Sequence, residues 1–472
     1  MEHYDIYCGG DFITTSKTIR IRNPYDGEVF ASSSYGENDE LQLCIERAQG
    51  VEQEMADMPG WKRSEILNEI ADKLEGNIDY HVRLLAQEAG KPLKYASGEV
   101  KRAIQTFRIA AEEARRLPGE HISLDWTPAG EGKEGWVKYF PAGLVAAIAP
   151  FNFPLNLAVH KIAPALAAGC PVILKPATST PLSTLALAKL IDDTDLPKGA
   201  FSVLPMARET GNQLVTDDRF KLLSFTGSPE IGWEMKKNAG KKKIVLELGG
   251  NAGVIVTRDV DMDNCIKKCL TGAFAYSGQV CIHAQRIFVE AEIFDEFIER
   301  FTAEAKKLKV GSPLEESTDI SAMIDENNAQ RVQEWVKEAE EQGAKVLTGG
   351  RRENAVVHPV VLTNTNNEMK VCGLEVFGPV VAVEPFNDFS KALKMVNDSR
   401  YGLQAGVFTD SVKRMNLAFR NLEVGGVIIN DVPTFRVDHM PYGGVKDSGI
   451  GREGVRYAMM DMLEPKIMVK DL

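Results

Sequence analysis

The sequence predicts an α/β protein with two parallel sheets in series. Short apolar runs alternate with helical stretches from residue 137 onward, and this rhythm is typical of a doubly wound parallel sheet. A second alternating series starts after Gly250. The length of 472 residues exceeds what one hydrophobic core usually supports. We therefore expect two α/β domains.

The segment before the first series combines an extended stretch with helices. Residues 12–23 are predicted to be extended, and Pro24-Tyr25-Asp26-Gly27 has the composition of a turn. Three amphipathic patterns with a 3.6-residue apolar period lie between Glu37 and Arg116. Three helices are expected there.

Each series supplies its own candidate strands. In the first they are residues 145–148, 172–174, 201–204 and 222–225, with a helix over residues 181–193. In the second they are residues 252–256, 286–289, 360–362 and 424–429, with a helix over residues 295–308. Residues 122–139 contain Pro128 and three glycines and interrupt the first series. That interruption predicts a projecting two-stranded excursion.

Composition excludes several classes of partner. The net charge of -12 and the pI near 5.3 argue against a broad surface for nucleic acid or an anionic membrane. The start of the chain lacks a basic region followed by an apolar stretch, so it does not resemble a secretory signal. The longest apolar run, residues 162–174, contains two prolines and is too short to span a bilayer. We expect a cytoplasmic protein.

The seven cysteines form no close-spaced framework, and their odd number indicates reduced thiols. Cys265 and Cys269 are four residues apart, which places them on one face of a helix. No second close-spaced ligand pair accompanies them, so core packing is favoured over a metal site. No metal is expected.

Three runs contain residue types that suit acyl chemistry on a thiol. Cys281 lies in Ser277-Gly278-Gln279-Val280-Cys281-Ile282, and Glu247 lies 34 positions upstream in Leu246-Glu247-Leu248-Gly249-Gly250. Asn152, between two aromatic residues and two prolines, is placed to offer an amide N–H to an oxyanion. Each residue alone has an ordinary alternative: a buried structural thiol, a salt-bridge carboxylate and a turn asparagine. Together they indicate oxidation of an aldehyde through a cysteine thioester.

A cofactor site is indicated by two weaker signals. The run Phe225-Thr226-Gly227-Ser228-Pro229-Glu230-Ile231-Gly232 is a strand, a turn and a helix start, whose free N–H groups suit a pyrophosphate. Lys175 follows a strand, where a cation can reach a ribose or phosphate. The first run is not a G-x-G-x-x-G pattern, and a surface lysine is the alternative for Lys175.

These runs, together with Glu375-Val376-Phe377-Gly378-Pro379 and Pro441-Tyr442-Gly443-Gly444-Val445-Lys446-Asp447-Ser448-Gly449, closely resemble the aldehyde dehydrogenase superfamily. The resemblance extends from Asn23-Pro24 to the C-terminus. It implies that Cys281 is the nucleophile, Glu247 the base for the deacylating water and Asn152 the oxyanion donor. Glu247 also argues against the branch that transfers the acyl group to coenzyme A. Hydrolysis to the free acid, with NAD(P) as oxidant, is implied.

The resemblance also implies a set of cofactor-binding residues. Lys175 would bind the adenosine ribose, Gly227 to Gly232 the pyrophosphate region, and Glu375 with Phe377 the nicotinamide riboside. The full set is Pro150, Phe151, Lys175, Thr178, Arg208, Gly211, Gly227, Ser228, Ile231, Gly232, Leu248, Glu375 and Phe377.

NADP is the preferred cofactor in this interpretation, and NAD is the alternative. NAD-preferring members commonly have a glutamate at the position of Thr178, which repels a 2′-phosphate. A neutral threonine beside Lys175 permits that phosphate. Arg208 is a candidate for a further cation there, with a solvated arginine as the alternative.

The substrate positions depart from members that oxidise fatty or aromatic aldehydes. His160 and the loop Thr434-Phe435-Arg436-Val437-Asp438-His439-Met440 stand where an apolar tunnel is usual. Phe153, His160, Arg436 and His439 are the candidate substrate residues. They predict a small hydroxy- or anionic aldehyde such as lactaldehyde or a triose derivative, because buried polar groups reject ligands that cannot pair with them. Succinate semialdehyde and glyceraldehyde 3-phosphate are the alternatives.

Within the superfamily the chain is most similar to the branch of lactaldehyde dehydrogenases and non-phosphorylating, NADP-dependent glyceraldehyde-3-phosphate dehydrogenases. The architecture implied is a cofactor-binding domain (residues 1–120 and 141–248), a catalytic domain (249–454) and a small β oligomerisation arm (121–140 and 455–472). A homodimer or homotetramer follows. A cofactor-binding relative without turnover is the alternative from another class, and the intact set of Cys281, Glu247 and Asn152 argues against it.

Overall fold

The computed structural model describes residues 1–471, so Leu472, the last residue of the predicted arm, lies outside it. The strands of the described chain are, in order, β1 Glu2–Tyr4, β2 Ile6–Cys8, β3 Asp11–Ile13, β4 Thr18–Arg22, β5 Val29–Ser34, β6 Gly119–Ser123, β7 Lys133–Pro141, β8 Val145–Ile148, β9 Val172–Lys175, β10 Phe201–Val203, β11 Leu222–Thr226, β12 Lys243–Glu247, β13 Ala252–Val256, β14 Ala284–Glu290, β15 Lys345–Thr348, β16 Arg352–Glu353, β17 Val356–Val357, β18 Val360–Thr363, β19 Val380–Phe386, β20 Tyr401–Gly402, β21 Gln404–Phe408, β22 Gly426–Ile429, β23 Val445–Lys446, β24 Gly449–Ile450 and β25 Leu463–Asp471.

The α-helices of the same residues are α1 Asn38–Gly50, α2 Glu52–Asp57, α3 Gly60–Gly76, α4 Ile78–Ala89, α5 Leu93–Glu113, α6 Asn156–Ala168, α7 Leu182–Asp192, α8 Arg208–Gly211, α9 Gln213–Thr216, α10 Pro229–Asn238, α11 Met262–Phe274, α12 Phe294–Ala305, α13 Glu326–Glu341, α14 Lys370–Gly373, α15 Phe389–Asn397, α16 Val412–Asn421 and α17 Val455–Asp461. Short 3-10 turns cover Pro128–Gly130, Ala275–Gly278 and Ala291–Ile293.

The first large sheet has the order β24-β12-β11-β8-β9-β10-β2-β3. Its five central strands, β12 to β10, run parallel, and the strands at both edges are antiparallel. Adjacent residues of β8 pack on opposite faces of the sheet. Ala147 lies in a hydrophobic cluster with α5, α6 and α7, and Ala146 lies in a cluster with α1. Helices therefore cover both faces, as a doubly wound sheet requires. The expected fold class is confirmed, with antiparallel edges added.

The second large sheet has the order β15-β18-β19-β14-β13-β21-β22. All neighbours are parallel except β15, which is antiparallel to β18. All four expected strands of this series, β13, β14, β18 and β22, agree with their expected positions within two residues. The carboxyl ends of β8, β9 and β12 and the loop before β14 carry site residues discussed below.

The excursion forms a third, separate sheet. The strands β6 and β7 pair antiparallel, and the C-terminal strand β25 adds to the other edge of β7 along nine residues. Several apolar side chains of this sheet are exposed: Trp136, Phe140, Ile467, Met468 and Val469.

One expectation for the N-terminal region is wrong. Five helices, α1 to α5, occupy the stretch where three were expected, because the chain breaks at Val51, Met58-Pro59, Asn77 and Gly90. The expected extended stretch, residues 12–23, holds β4 and most of β3, whereas β1, β2 and β5 lie outside it and were not expected; β2 and β3 join the first large sheet. Strands of three residues are too short to show an alternating pattern. No helix among the described residues is both long and apolar enough to cross a bilayer.

Candidate active site

Cys281 lies in the loop that enters β14 and has a tyrosine as its polar neighbour. The hydroxyl of Tyr442 is 2.9 Å from Sγ. Cys281 is partly accessible, whereas the other six cysteines are buried. Burial raises the pKa of the thiol to about 12, while the Tyr442 hydrogen bond acts in the opposite direction. The thiol therefore needs a stabilising neighbour or the loss of its proton to a base before it can act as the predicted nucleophile.

Glu247 ends β12 and is fully enclosed. Neither carboxylate oxygen has a hydrogen-bond partner among residues 1–471. Burial, and then the charge of Glu453, raise the pKa of Glu247 well above its ordinary value. A Cβ atom at Gly443 would lie 2.7 Å from Oε1, so only glycine leaves room for the carboxylate there. A carboxylate of this kind suits proton abstraction near neutral pH.

Asn152 precedes α6, and hydrogen bonds hold both its side-chain amide and its backbone carbonyl. Its Nδ2 donates to the Gln279 carbonyl at 2.9 Å, and its carbonyl accepts from Lys91 Nζ at 2.6 Å. An amide nitrogen has two hydrogens, so one N–H of Asn152 is left for another acceptor. Asn152 and Cys281 line one cavity of about 330 Å³, together with Glu375 and Phe377. The structure thus brings the predicted nucleophile and the predicted oxyanion donor to one space.

The predicted cofactor residues line that cavity and an adjoining one. Pro150, Phe151, Gly227, Ser228, Leu248, Glu375 and Phe377 line the cavity that contains Cys281. Lys175, Thr178, Arg208, Gly211 and Ile231 line a second cavity of about 670 Å³. The two share Ile148 and Phe225 in their walls. Gly232 lines neither: its Cα faces Leu248, where a Cβ would come within 2.4 Å of the leucine side chain. The absence of a side chain at Gly232 therefore allows α10 to pack closely against the sheet.

The predicted substrate residues divide into a buried cluster and outlying positions. His160 Nε2 lies 2.8 Å from Asp438 Oδ1, and Arg436 Nη2 lies 2.9 Å from Glu453 Oε2. The Arg436 guanidinium also stacks on the ring of Tyr442, 3.7 Å from its centre. Arg436 is therefore an ion-paired group and not the free cation that the sequence suggested.

The two other substrate candidates lie elsewhere. His439 is exposed to solvent. Phe153 packs beside Cys281 with its ring 3.8 Å from Lys91 Nζ. Of the four candidates, Phe153 shares an apolar cluster with the nucleophile, and Arg436 reaches it through Tyr442.

His160 is neutral in this arrangement. Burial, and then the charge of Arg436, lower its pKa. Although burial raises the pKa of Asp438, hydrogen bonds from His160 and Arg102 bring it below the ordinary range, so this carboxylate is ionised and only accepts. Nε2 therefore carries the proton. Nδ1 is left as a buried acceptor without a partner in residues 1–471.

Comparison with known proteins decides the family. The model of the aldehyde dehydrogenase family matches residues 12–468. The chain belongs to the aldehyde dehydrogenase family. Among curated members, it is 41% identical to a 3-sulfolactaldehyde dehydrogenase of Priestia aryabhattai, over 100% of this chain and 99% of that one. It is 39% identical to a lactaldehyde dehydrogenase of Methanococcus aeolicus, over 98% and 99% respectively.

Solved aldehyde dehydrogenase structures have the same fold. Aldehyde dehydrogenase 21 of Physcomitrella patens, in complex with the reaction product succinate, superposes with a TM-score of 0.98 at 45% identity, over 100% of this chain and 98% of that one. The glyceraldehyde-3-phosphate dehydrogenase GapN of Methanocaldococcus jannaschii, complexed with NADP, gives 0.93 at 37% identity, over 97% and 100%. The expected family and fold are confirmed.

The cavities of this aldehyde dehydrogenase fit a dinucleotide. Lys175 Nζ contacts only the Pro176 carbonyl within residues 1–471, at 3.3 Å, so its charge remains for an anion. Ser228 begins α10 without a side-chain cap, which leaves first-turn N–H groups for a pyrophosphate. Glu375 accepts from the Gly250 N–H at 2.8 Å with one oxygen, and burial raises its pKa to about 8. Its second oxygen can accept from a ribose hydroxyl.

Several site residues were missed by the sequence interpretation. Lys161 donates to Glu453 at 3.0 Å and to Thr226 at 2.7 Å, and both Lys161 and Glu453 are fully buried. Tyr442 lies in the run from Pro441 to Gly449, but the sequence alone indicated no role for it. The sequence did contain a signal for Lys161: after Asn156, His160 and Lys161 are the only polar residues of the apolar helix α6, whose residues are all buried. No group of three or more potential metal ligands occurs within the described chain.

Proposed function

We propose that this aldehyde dehydrogenase oxidises a small aldehyde with an anionic or hydroxyl group to the carboxylic acid, and prefers NADP. One observation carries the proposal. The guanidinium of Arg436 stacks on Tyr442, whose hydroxyl touches the Cys281 sulfur, so a cation lies one side chain away from the nucleophile. The anionic end of a short substrate bound at Cys281 would lie within the field of this charge.

The charge of the surrounding cluster favours an anion. Lys161, Arg436 and Arg102 supply three positive charges. Glu453 and Asp438 supply two negative ones: although burial raises the Glu453 pKa, Lys161 and Arg436 hold it below its ordinary value. Burial and the charge of Glu453 raise the pKa of Glu247, which favours its uncharged form relative to an ordinary carboxyl. One positive charge therefore remains for a carboxylate, sulfonate or phosphate on the substrate.

The cluster also contains a hydrogen-bond acceptor for a substrate hydroxyl. The unpartnered Nδ1 of His160 is a buried acceptor in the same cluster. A buried acceptor of this kind disfavours ligands that have nothing to donate. Apolar aldehydes such as hexanal are therefore expected to be poor substrates.

The proposed reaction starts at Cys281. Its thiolate attacks the aldehyde carbonyl carbon, forming a carbon–sulfur bond and an alkoxide. The free N–H of Asn152 and the backbone N–H of Cys281, which has no acceptor within residues 1–471, are the available donors to that alkoxide. Bound NAD(P) supplies a nicotinamide ring that accepts a hydride from the substrate carbon. The substrate carbon is oxidised, and Cys281 is left as a thioester.

Glu247 would complete the cycle. As a carboxylate it takes a proton from water, whose oxygen attacks the thioester carbon and displaces the Cys281 sulfur. The acid is released and the thiolate is regenerated. Enclosure of Glu247 keeps its pKa high enough for this proton transfer near neutral pH.

NADP preference is proposed from the larger cavity. Lys175, Thr178 and Arg208 line it together, and no carboxylate stands at position 178. Arg208 is paired with Glu234 at 3.1 Å, but both side chains are mostly exposed, and such a pair contributes little. The guanidinium is therefore available to a 2′-phosphate. The solved NADP complex of the GapN relative supports this proposal.

Succinate semialdehyde is the second candidate substrate. The Physcomitrella relative at 45% identity was crystallised with succinate as its reaction product. A distal carboxylate would suit the excess positive charge of the cluster. The sulfolactaldehyde relative points to the same chemistry, since a sulfonate is also an anion. Lactaldehyde, which has a hydroxyl and no charge, is the neutral comparison.

The deciding experiment compares the rates at which the wild-type enzyme and Arg102→Met oxidise different aldehydes. Rates are measured with succinate semialdehyde, glyceraldehyde 3-phosphate, lactaldehyde and hexanal, each with NADP and NAD. We expect Arg102→Met to raise KM about tenfold for the anionic aldehydes and to leave lactaldehyde nearly unchanged. Arg108→Met, on the outer surface of the same helix and paired with Asp72 and Glu75, is the matched control. Faster oxidation of hexanal than of every polar aldehyde would refute the proposal.

A homo-oligomer built through the arm is also proposed. The exposed apolar side chains of β25 and β7 lie on a small sheet that has no core of its own. The strand β22 is an edge of the second large sheet and is paired on one side only, with β21. We propose that the arm of one copy covers such an edge in another copy, giving a homodimer or homotetramer. Light scattering of the full chain and of Ile467→Lys would test this.

The division into cofactor-binding, catalytic and arm segments at the expected boundaries remains a proposal, supported by the separation of the two large sheets from each other and from the sheet of β6, β7 and β25. A cytoplasmic location is proposed from the seven free cysteines, which suit a reducing compartment. Fractionation of cells would test the location.

A further inference from the structure

The hydroxyl of Tyr442 has a single hydrogen-bond partner among the described residues, and that partner is the sulfur of the proposed nucleophile. Its hydroxyl lies 2.9 Å from Cys281 Sγ, and the residue is 3% exposed. Both residues belong to one small apolar cluster with Tyr276, Val280 and Ile282. A buried phenol normally finds a hydrogen-bond partner, and here the partner is sulfur.

The contact has a fixed direction once the thiol ionises. A neutral thiol is both a weak donor and a weak acceptor, so either atom can donate. A thiolate has no hydrogen and only accepts. The Tyr442 O–H must then donate to Sγ, and a hydrogen bond to a charged acceptor is about twice as strong as a neutral one. The hydroxyl therefore favours the ionised form over the neutral form.

Arg436 strengthens this donor. Its guanidinium lies 3.7 Å from the centre of the Tyr442 ring and is ion-paired with Glu453. A positive charge against the ring draws electron density from the phenol oxygen and makes its hydrogen more acidic. Glu453 holds the guanidinium at 2.9 Å, so the stacked position is fixed before substrate enters.

We propose that Tyr442 is a catalytic residue whose hydroxyl, polarised by Arg436, donates a hydrogen bond to the Cys281 thiolate and so increases the fraction of enzyme with an ionised nucleophile. The thiol proton leaves to solvent through the cavity that Cys281 lines. The other charged groups near the sulfur act in both directions: Glu375 and Glu247 disfavour the thiolate, and Arg436 favours it. This inference rests on the proposed role of Cys281 as nucleophile.

The test measures ionisation of the thiol directly, without turnover. Wild-type enzyme and Tyr442→Phe are treated with iodoacetamide at a series of pH values, and alkylation of the Cys281 peptide is followed by mass spectrometry. The phenylalanine keeps the ring beneath Arg436 and removes only the hydroxyl. We expect the apparent thiol pKa of Tyr442→Phe to rise by about one to two pH units, as loss of one charge-assisted hydrogen bond predicts.

Tyr276→Phe is the matched control. It removes a buried hydroxyl from the same cluster, where Tyr276 donates to the Ala89 carbonyl at 2.9 Å and has no contact with Sγ. Its alkylation profile should follow the wild type. Equal thiol pKa values in wild type and Tyr442→Phe would overturn the inference. Failure of the proposed function would be seen separately, as turnover by a fully alkylated wild-type enzyme.

Discussion

Lys91 and Glu99 form an ion pair without any solvent exposure directly behind Asn152. Lys91 Nζ also donates to the Asn152 carbonyl at 2.6 Å. Glu99 Oε1 accepts from the backbone N–H groups of Leu155 and Asn156 at 3.0 and 3.1 Å, at the start of α6. The pair therefore ties the loop that carries Asn152, the proposed oxyanion donor, to α5.

The first prediction concerns this pair. Glu99→Gln keeps the shape of the side chain and leaves Lys91 buried without a counter-charge, which costs about 3–5 kcal/mol of unfolding free energy. We expect a lower melting temperature and about a tenfold lower kcat, with KM for NADP little changed. Thermal unfolding and initial rates measure both. Glu112→Gln, whose partner Arg116 is exposed, is the control on the same helix and should behave as wild type. Wild-type kcat in Glu99→Gln would show that the pair does not position Asn152.

The second prediction separates acylation from hydrolysis. Cys281→Ala should abolish turnover and keep cofactor binding, because the alanine removes only the nucleophile. Glu247→Gln should still form the thioester but hydrolyse it slowly. Stopped-flow absorbance of the reduced cofactor should therefore show a burst of about one equivalent followed by slow turnover. A Glu247→Gln enzyme without a burst would contradict the assignment of Glu247 to the second half of the reaction.

The elements that the sequence predicted well are those whose position follows from the residues of the element itself and its immediate neighbours in the chain. The strands β8, β9, β11 and β13 are short apolar runs bounded by polar or turn residues, so their positions follow from the local pattern. Cys281, Glu247 and Asn152 could be proposed as site residues because each lies in a distinctive run. Asn152 and Cys281 are 129 positions apart and still line one cavity.

The buried charges could not be predicted in this way. Lys161 and Glu453 are 292 positions apart, and nothing local shows that the two side chains meet. The stacking of Arg436 on Tyr442 also depends on how the loop before β23 folds back. Because the sequence does not show the contacts of Arg436, the loop alone suggested that this arginine is a free cation. The breaks between α1 and α5 were missed because a helical apolar period continues across short interruptions such as Val51 and Asn77.

The third prediction is a pH dependence. Glu247 acts as a base only when ionised, and burial and Glu453 raise its pKa well above that of an ordinary carboxyl. Thioester hydrolysis should therefore increase with pH until Glu247 is ionised, at a pH above the ordinary carboxyl range. The slow phase after the burst should lose this rising limb in Glu247→Gln. Hydrolysis that is already independent of pH between about 5 and 8 would mean that the carboxylate has an ordinary pKa.

The fourth prediction concerns Gln285, which holds the peptide groups on both sides of Glu375. Its Nε2 donates to the Leu374 carbonyl at 2.7 Å, and its Oε1 accepts from the Val376 N–H at 2.9 Å. Gln285→Met has a similar length and makes neither bond. We expect about a tenfold weaker affinity for NADPH, measured by fluorescence titration, with the burst rate at saturating cofactor little changed. Gln330→Met, on the exposed face of α13, is the control. Unchanged affinity would remove Gln285 from the positioning of Glu375.

The last prediction tests the cofactor preference at Thr178. A glutamate there places a negative charge in the cavity that also contains Lys175 and Arg208. It would repel a 2′-phosphate and accept from a 2′-hydroxyl, so Thr178→Glu should raise KM for NADP by about tenfold or more and lower KM for NAD. Thr178→Gln has nearly the same size without the charge and should leave the ratio of the two KM values near that of wild type. The effect of the charge should also decrease with added salt, since position 178 is exposed. If the glutamate and glutamine variants change the KM ratio equally, steric fit and not charge determines the choice at this position.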